Sequence, residues 1–325
     1  MSDFGQLSDL VRDSRIETEF RGDEFTHVFY DSGSSARERR IRREELWQRQ
    51  DRIGRGTYGT VYLERCISDD FRRRRAVKEI KMHDRREYAR ELEAVAKFSH
   101  KKYSHCFVQS FGWFERHDTL FIAMEYLEHG SFHDYLFPPL PEVEVAEITS
   151  QILEGLSYMH GNGFAHRDLK PENILVVERG PDWFVKIADF GISKRRPEGI
   201  TAFNTLNRGT PGFAAPEVYR SMFHGEYTFA VDMWSLGSLV FTALTNTIAF
   251  PDESELFKYF YRRQRFPKAE LERSNISTLA QDFIFKLMEP HPKDRLTVEH
   301  ARGHPWLPRQ PSDDPETPPR YVLAL

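Results

Sequence analysis

Two short polar segments of the sequence bring together side chains that could do chemistry. HRDLKPENIL, at residues 166–175, carries a carboxylate at Asp168, an ammonium group at Lys170 and a carboxamide at Asn173. KIADFG, further along the chain, adds a second carboxylate at Asp189. Phosphoryl transfer requires a carboxylate that accepts from the attacking hydroxyl, a cation that offsets charge on the moving group, and oxygen ligands for Mg²⁺. The two segments therefore indicate phosphoryl transfer.

The segment around Asp168 is expected to be a loop, because Pro171 lacks a backbone N–H and would break a straight helix. A loop allows side chains that are close in sequence to converge on one point. We expect Asp168 to face the substrate hydroxyl and Lys170 to offset charge on the transferred group. Asn173 and Asp189 would hold Mg²⁺ through their oxygen atoms.

A glycine-rich segment, IGRGTYGTV, is suited to bind the phosphates of a nucleotide. Gly54, Gly56 and Gly59 would let the backbone approach phosphates closely and offer amide hydrogens to them. A glycine-rich hairpin turn without a ligand is the alternative explanation. A dinucleotide-binding fold would need a helix directly after the glycines, and TVYLERC has the pattern of a strand, so that fold is disfavoured.

Lys78 lies in the strand-like run AVKEI, with apolar residues on both sides. A buried ammonium group needs an anionic partner, because an isolated one is costly. Glu91 and Glu93 on the following helix, which is predicted to begin at Asp84, are the candidate partners. An edge lysine that reaches into solvent is the alternative.

Composition limits the classes of function that the chain can have. Its 325 residues suffice for one large or two modest domains, and a net charge of −4 gives no overall attraction to nucleic acid or anionic membranes. The two cysteines, Cys66 and Cys106, are too few for a disulfide framework. No apolar run approaches the roughly 20 residues that span a bilayer, and the first residues do not resemble a signal peptide. We expect an intracellular protein, cytoplasmic or nuclear, with no nucleic-acid partner and no membrane span.

The pattern divides the chain into a strand-rich part followed by a helix-rich part. Short strand-like runs interrupted by one helix occupy residues 47–126, and helical periodicity begins near residue 142. Residues 1–46 are highly charged and could form a charged helix, a short hairpin that includes FTHVFY, or a mobile arm. Residues 308–325 have the proline-rich composition of a disordered tail.

Seven motifs in a fixed order give the chain a family resemblance. It resembles the eukaryotic protein kinases, and within them the serine/threonine branch, over residues 47–307. The ordered set leaves little room for chance. The motifs are GRGTYGTV, AVK with Lys78, HRDLKPEN, DFG at 189–191, GTPGFAAPE at 209–217, DMWSLG at 232–237 and Arg295 in KDRLT.

The resemblance implies an α+β, two-lobed protein kinase fold that binds ATP between its lobes. An N-lobe over residues 47–127 would hold an antiparallel sheet and one important helix. A mainly helical C-lobe would follow over residues 128–307. Residues 1–46 would be an N-terminal extension of unknown role, and residues 308–325 a disordered tail.

The resemblance also assigns roles to individual side chains. Lys78 would bind the α and β phosphates and pair with Glu91, Asp168 would be the catalytic base, and Asn173 and Asp189 would carry Mg²⁺. Met124 would be the gatekeeper beside the adenine, and Glu217 with Arg295, and Asp232, would be structural supports. The ATP-binding residues implied in this way are Ile53, Gly54, Arg55, Gly56, Thr57, Tyr58, Gly59, Val61, Ala76, Lys78, Met124, Glu125, Leu127 and Leu175.

One spacing departs from the family pattern. Glu91 follows Lys78 by 13 positions, which is fewer than the family usually has, so the connection before the helix must be short. A second unusual feature is the run of four arginines at residues 72–75, which is either a solvated basic face or a docking site.

The segment between DFG and APE is a candidate switch. It contains Thr201, Thr205 and Thr210, and a phosphate on Thr205, or else on Thr201, would pair with Arg167 and order the segment. An upstream kinase would then be a partner. The alternative is an enzyme that is active without phosphorylation. Lys170 together with Thr210 resembles the serine/threonine branch, so protein serines and threonines are the expected substrates.

Two other classes of function share these motifs in part. A pseudokinase scaffold would bind nucleotide and partners without phosphotransfer, but such proteins usually lack one of the residues equivalent to Lys78, Asp168, Asn173 and Asp189. Small-molecule kinases lack an activation segment that ends in APE, which this chain has. The sequence therefore favours a protein kinase that uses Mg-ATP.

Overall fold

The computed structural model of the chain describes residues 8–22, 24–33, 39–56, 59–69, 72–81, 85–189, 194–195, 203–204, 210–219 and 226–308. These residues fold as two compact units. The first unit comprises Met1–Gly130 together with Lys186–Arg195, and the second comprises Ser131–Val185 together with Arg196–Leu325. The expected disordered tail lies outside the described residues from position 309 onward.

Within its described residues, the first unit consists mainly of a seven-stranded antiparallel sheet and two α-helices. Its elements in chain order are α1 (Asp9–Asp13), β1 (Glu17–Arg21), β2 (Glu24–Asp31), β3 (Ile41–Gly56), β4 (Gly59–Cys66), β5 (Arg74–Lys81), α2 (Arg85–Phe98), β6 (Ser110–Arg116) and β7 (Thr119–Glu125). The strands are ordered β1-β2-β3-β4-β5-β7-β6. Strands β3 to β7 account for the strand-like runs expected over residues 47–126, and α2 is the expected helix, with Leu92, Val95 and Phe98 buried. The predicted start of that helix, Asp84, lies outside the described residues.

Strands β1 and β2 form a hairpin that extends the sheet beyond β3 to β7. The hairpin with FTHVFY is therefore the alternative that the chain adopts here, and all eight residues of β2 pair with β3. Phe25 of the hairpin packs with Trp47, Phe114 and Phe121 in one buried cluster. Phe114 and Phe121 stack with their ring centroids 5.0 Å apart. Burial of aromatic surface is thus what holds the N-terminal residues on the sheet.

The sheet curls until its two outer strands meet. The backbone N–H of Ile16, just before β1, donates to the carbonyl of Trp113 in β6 at 2.7 Å, and the N–H of Trp113 donates to Ser14 at 3.1 Å. Gly112 permits this approach: it has a φ of 126°, and a Cβ there would lie 2.5 Å from the Ser14 carbonyl oxygen. The N-terminal residues therefore close the sheet into a barrel-like shape.

A charged network lies inside the curled sheet. Arg75, only 2 % exposed, donates to Glu64 Oε2 at 2.6 and 2.9 Å and to His27 Nε2 at 2.7 Å. Its guanidinium also lies 4.1 Å from the centroid of the Trp47 ring. Burial raises the pKa of Glu64, and the charge and hydrogen bonds of Arg75 offset this shift only in part.

The four-arginine run is consequently not the uniform solvated face that its composition indicates. Arg75 faces the interior, while Arg73 pairs with Glu45 at 2.9 Å and Arg74 with Glu128 at 2.9 Å. Alternate residues of a strand point to opposite sides of the sheet, which accounts for the different surroundings of Arg74 and Arg75.

The second unit is mainly helical. Its principal helices are α3 (Glu142–Gly161), α4 (Ala230–Thr245), α5 (Glu253–Phe260), α6 (Ala269–Arg273), α7 (Thr278–Leu287) and α8 (Val298–Arg302). Its strands are short: β8 (Phe164–Ala165), β9 (Ile174–Glu178), β12 (Phe203–Asn204) and β13 (Glu226–Tyr227). Two further strands lie where the chain leaves the second unit and re-enters the first. Strand β10 (Phe184–Ile187) spans that boundary, and β11 (Lys194–Arg195) belongs to the first unit.

Helices α3 and α4 form the core of this unit. Ile148, Ile152, Leu156 and Met159 of α3 are buried, as the helical spacing predicts, and α3 ends at Gly161. The apolar run WSLGSLVFTAL lies in α4 and is buried along its whole length. Among the helices that the structure describes, none combines the length and apolar character needed to cross a bilayer.

Candidate active site

Lys78 and Asp189 form a close ion pair in the first unit. Lys78 lies in the middle of β5, is 6 % exposed and has buried Val77 and Ile80 near it. Its Nζ donates to Asp189 Oδ1 at 2.6 Å. Asp189 follows β10 and has a left-handed φ of 59°. The lysine therefore has the anionic partner that its burial requires.

The side chain of Glu91, the partner that the family resemblance assigns to Lys78, lies outside the described part of the chain. Its backbone belongs to α2. The role of Glu91 stays a prediction.

The glycine-rich segment forms the hairpin between β3 and β4. Gly56 pairs with Gly59 across its end, and Thr57 and Tyr58 lie outside the described residues. A Cβ at Gly59 would meet the backbone oxygen of Glu79 at 2.3 Å, so a side chain there would force β4 away from β5. A strand follows the glycines instead of a helix, which excludes the dinucleotide-binding arrangement.

The other described residues assigned to ATP lie on neighbouring strands of the first unit or just beyond one of them, except for Leu175. Ala76 of β5 is buried and pairs in register with Met124 of β7. Glu125, next to Met124, accepts from Lys186 Nζ at 2.7 and 2.9 Å. Ile53, Gly54 and Arg55 lie in β3, Val61 in β4, and Leu127 two residues beyond the end of β7. The exception is Leu175, which lies in β9 of the second unit.

The second unit gathers the polar side chains of HRDLKPEN around Asp168. Lys170 Nζ lies 2.8 Å from Asp168 Oδ2. Asn173 Nδ2 donates to the Asp168 carbonyl at 2.8 Å and to Oδ2 at 3.3 Å. Pro171 begins a single 3-10 turn that ends at Asn173, so the segment is not a straight helix, as expected. Asp168 and Asn173 are both buried to more than nine tenths.

Thr210 joins this cluster from a part of the chain 40 residues further on. Its Oγ1 donates to Asp168 Oδ1 at 2.7 Å and accepts from Lys170 Nζ at 2.7 Å. The sequence indicated Thr210 only as a mark of the serine/threonine branch and as a member of the activation segment. Its contact with Asp168 depends on how two distant segments fold and has no local signal in the sequence.

Asp232 fixes the backbone that precedes Asp168. Its carboxylate, fully buried at the start of α4, accepts from the backbone N–H groups of His166 at 2.9 Å and Arg167 at 2.7 Å. His160 Nε2 of α3 lies 2.8 Å from the same carboxylate. Burial alone would raise the pKa of Asp232, but the hydrogen bond from His160 and the neighbouring charges lower it below its usual range. Sequence reasoning named Asp232 as a support and missed His160.

Arg167, the residue proposed to hold an activation-loop phosphate, is buried and has a left-handed φ of 75°. Its two candidate partners, Thr201 and Thr205, lie outside the described residues. The pairing of Arg167 with an activation-loop phosphate therefore stays a prediction.

Glu217 and Arg295 form a buried, two-pronged ion pair. The guanidinium donates to the two carboxylate oxygens at 2.6 and 2.8 Å. Its remaining donors reach the carbonyls of Ala230, Glu289 and Pro290 at 2.7 to 3.0 Å. All five N–H groups of Arg295 are thus engaged, which fits a structural role.

Comparisons with known proteins agree with this arrangement. The family described as protein kinase domain matches residues 47–307. Serine/threonine-protein kinase RAD53 of Saccharomyces cerevisiae is 32% identical over 275 residues, which are 80% of this chain and 32% of that protein. Calcium/calmodulin-dependent protein kinase type 1 of Caenorhabditis elegans is 32% identical over 270 residues, which are 81% of this chain and 74% of that protein. Serine/threonine-protein kinase cds1 of Schizosaccharomyces pombe is 34% identical over 238 residues, 71% of this chain and 50% of that protein.

The chain belongs to the eukaryotic protein kinase family, in its serine/threonine branch, and has the two-lobed protein kinase fold. It spans about a third of the length of the first of these relatives and about three quarters of the second. The hairpin of β1 and β2 precedes the region that the family covers.

Proposed function

We propose that this chain transfers the γ-phosphoryl group of Mg-ATP to serine and threonine hydroxyls of protein substrates. The observation that supports this most directly is the hydrogen-bonded group of Asp168, Lys170, Asn173 and Thr210. It holds a carboxylate, an ammonium group and a carboxamide in fixed relative positions. Such a group suits the orientation of an attacking hydroxyl and the compensation of charge in phosphoryl transfer.

In the proposed reaction Asp168 accepts a hydrogen bond from the substrate hydroxyl. Each carboxylate oxygen has two acceptor positions, so Asp168 can take this bond while it keeps Thr210 and Lys170. Lys170 then places a positive charge beside the transferred group. Thr210 sets the orientation of both side chains, because its hydroxyl donates to one and accepts from the other.

The nucleotide is assigned to the glycine-rich hairpin and to β5. Lys78 would exchange its contact with Asp189 for the α and β phosphates, and Ala76 and Met124 would line the adenine site. Glu91 is proposed as the partner that keeps Lys78 in place. The register of β5 with β7 supports the adenine assignment, because it brings Ala76 and Met124 side by side.

The donor set present suits Mg²⁺. Asp189 offers a carboxylate, and Asn173 uses its Nδ2 as a hydrogen-bond donor, which leaves its Oδ1 as an oxygen ligand. When bound, Mg²⁺ would neutralise charge on the β and γ phosphates. Through the bound ion, Asn173 and Asp189 would also hold the phosphates in a fixed position.

Control through the activation segment is the regulatory part of the proposal. A phosphate on Thr205, or on Thr201, would place close to two negative charges near the buried guanidinium of Arg167. An upstream kinase would be the partner that adds it. Phosphate incorporation by Thr205→Ala and Thr201→Ala variants, mapped by mass spectrometry, identifies which residue is modified.

A pseudokinase scaffold is the competing function, and one experiment separates the two. The purified chain is incubated with labelled Mg-ATP and peptide libraries fixed for serine, threonine or tyrosine. We expect incorporation into serine and threonine peptides, and a decrease of about 10²- to 10⁴-fold in Asp168→Asn, which removes the accepting carboxylate. Asp182→Asn, the same change at an exposed turn, serves as the matched control.

Two results would overturn the proposal. If the wild-type chain binds ATP but transfers no phosphate with Mg²⁺ or Mn²⁺, before and after treatment with an activating kinase, the scaffold function holds. If Asp168→Asn retains full activity, Asp168 is not the base.

A further inference from the structure

The curled sheet of the first unit has a cavity of about 380 Å³ at one end. Its wall is formed by Phe20, Gly22 and Phe25 of the N-terminal hairpin, the middle of β3, the end of β5 and the β6–β7 turn. None of the residues assigned to ATP that the structure describes lines it. Ligand pockets of small molecules begin at about this volume, and the mouth of a β-barrel is one of the places where they occur.

Three phenylalanines lie at the floor of this cavity, which we call the mouth pocket. Phe20 is partly exposed, whereas Phe25 and Phe121 are only 3 % and 6 % exposed and the guanidinium of Arg49 lies 5.5 and 5.8 Å from their ring centroids. Phe20 lies with its ring centroid 5.5 Å from Phe25 and 6.0 Å from Phe121. Phe25 and Phe121 are themselves 6.2 Å apart. Phe20 and Phe25 come from the N-terminal hairpin, before the region that the family covers, so the pocket exists only because the hairpin completes the sheet.

Among the described residues at the rim of the mouth pocket, positive charge exceeds negative charge. Lys81 donates through Nζ to Thr119 Oγ1 at 3.0 Å, and Arg116 lies with its guanidinium 5.2 Å from the Phe20 ring centroid. Asp118, in the β6–β7 turn, is the opposing negative charge. Deeper in the pocket, Arg49 and Glu79 neutralise each other in an ion pair of 2.9 Å.

We propose that the mouth pocket binds a small organic anion, namely a phosphate or carboxylate carried on an apolar, preferably aromatic, body. Lys81 and Arg116 would bind the charged group through charge-assisted hydrogen bonds. The partly exposed ring of Phe20 would contact the body, with a ring-to-ring contact favoured over an aliphatic one. This site is independent of phosphotransfer, because its lining is separate from Lys78, Asp168, Asn173 and Asp189.

Titration of the full chain with phenyl phosphate and with benzoate, followed by amide chemical shifts and calorimetry, tests the proposal and distinguishes phosphate from carboxylate. At least one should bind with a dissociation constant of about 1 mM or tighter, and the shifts should map to the β6–β7 turn and the end of β5. Phenol, which lacks the charge, and inorganic phosphate, which lacks the body, should each bind at least about tenfold more weakly.

Substitutions that remove either a positive or a negative charge from the rim test the role of charge in binding. Arg116→Gln and Lys81→Gln should each weaken binding about tenfold, and Asp118→Asn should tighten it about twofold. Arg42→Gln, which removes an exposed arginine at the opposite end of β3, should leave it unchanged. Melting curves establish that each variant is folded, and two separate cation variants keep the test valid if one is not.

Three results would overturn the proposal. The first is that neither anion binds at concentrations up to about 10 mM. The second is that binding is the same in wild type, Arg116→Gln and Lys81→Gln. The third is that the shifts map to the glycine-rich hairpin and are lost in Lys78→Met, which would mean that the anion occupies the nucleotide site.

Discussion

The guanidinium of Arg75 donates to Nε2 of His27 at 2.7 Å, and both side chains are buried within the curled sheet. Arginine can only donate, so Nε2 of His27 accepts and the ring proton lies on Nδ1, which faces Thr18 Oγ1 at 2.8 Å. Burial, and then the charge of Arg75, lower the pKa of His27 to about 3. The imidazole is therefore neutral at physiological pH and joins the N-terminal hairpin to the kinase domain.

Acidification should destabilise the chain through His27. The unfolded chain takes up the proton near pH 6.5, whereas the folded chain takes it up only near pH 3, so the stabilisation is complete above about pH 6.5 and is lost as the pH falls toward 3. Between about pH 7.5 and 5.5 the contribution of His27 should fall by about 1.4 kcal/mol.

Urea unfolding of wild type and His27→Gln at these two pH values isolates this contribution. Glutamine keeps a donor and an acceptor but does not titrate. The difference between the two proteins is the relevant quantity, since the raised pKa of Glu64 changes stability with pH in the opposite direction. Equal pH dependence in the two proteins would show that His27 does not carry the effect.

Thr210 should matter for catalysis through its hydroxyl alone. Thr210→Val keeps the shape and loses both the bond to Asp168 and the bond from Lys170, so we expect kcat to fall about 10- to 100-fold. Thr210→Ser keeps the hydroxyl and should retain most of the activity. Steady-state kinetics with saturating ATP are the measurement, and equal kcat in the two variants would contradict the positioning role.

Two glycines of the same hairpin should respond differently to alanine. At Gly59 the new Cβ would lie 2.3 Å from the backbone oxygen of Glu79, so we expect a loss of stability of about 1–3 kcal/mol. At Gly56 no described atom beyond the chain neighbours lies within 4 Å of that position, so stability should change little. If the Gly56 backbone approaches phosphates as proposed, Gly56→Ala should instead raise the KM for ATP. Melting curves and ATP kinetics on both variants separate folding from nucleotide binding.

The Glu217–Arg295 pair should contribute strongly to the stability of the helical unit. Glu217→Gln leaves the buried cation without its counter-ion, which we expect to cost about 3–5 kcal/mol. Glu272→Gln makes the same change in an exposed pair with Lys268 and should cost less than about 0.5 kcal/mol. Urea unfolding of both variants is the check, and similar losses would mean that the buried pair is no more important than the exposed one.

The polar cluster and the core of the helical unit were the parts most readily predicted from sequence. HRDLKPEN holds Asp168, Lys170 and Asn173 within six positions, so local geometry alone keeps them together. Ile148 and Ile152 are four positions apart and share one face of a helix, so their burial is also predicted from a short segment. A short segment with its own pattern is therefore enough to predict such features.

The N-terminal hairpin and Arg75 could not be predicted in this way. Residues 17–31 are rich in charge, and only their pairing with β3 and the cluster around Phe25 makes them strands. A run of four arginines indicates an exposed surface, yet the burial of Arg75 depends on Glu64 and His27, which lie on two other strands. Contacts distant in sequence decide both cases.

The bonds between Ile16 and Trp113 have a consequence for the solution behaviour of the protein. They occupy backbone groups at the outer margin of β6 that would otherwise offer a template to a strand from a second molecule. Removal of the residues before Trp47 would uncover that margin and also bare Phe114 and Phe121. We therefore expect a fragment that begins at Trp47 to self-associate more readily than the full chain, and a fragment that keeps the hairpin to stay monomeric at higher concentration.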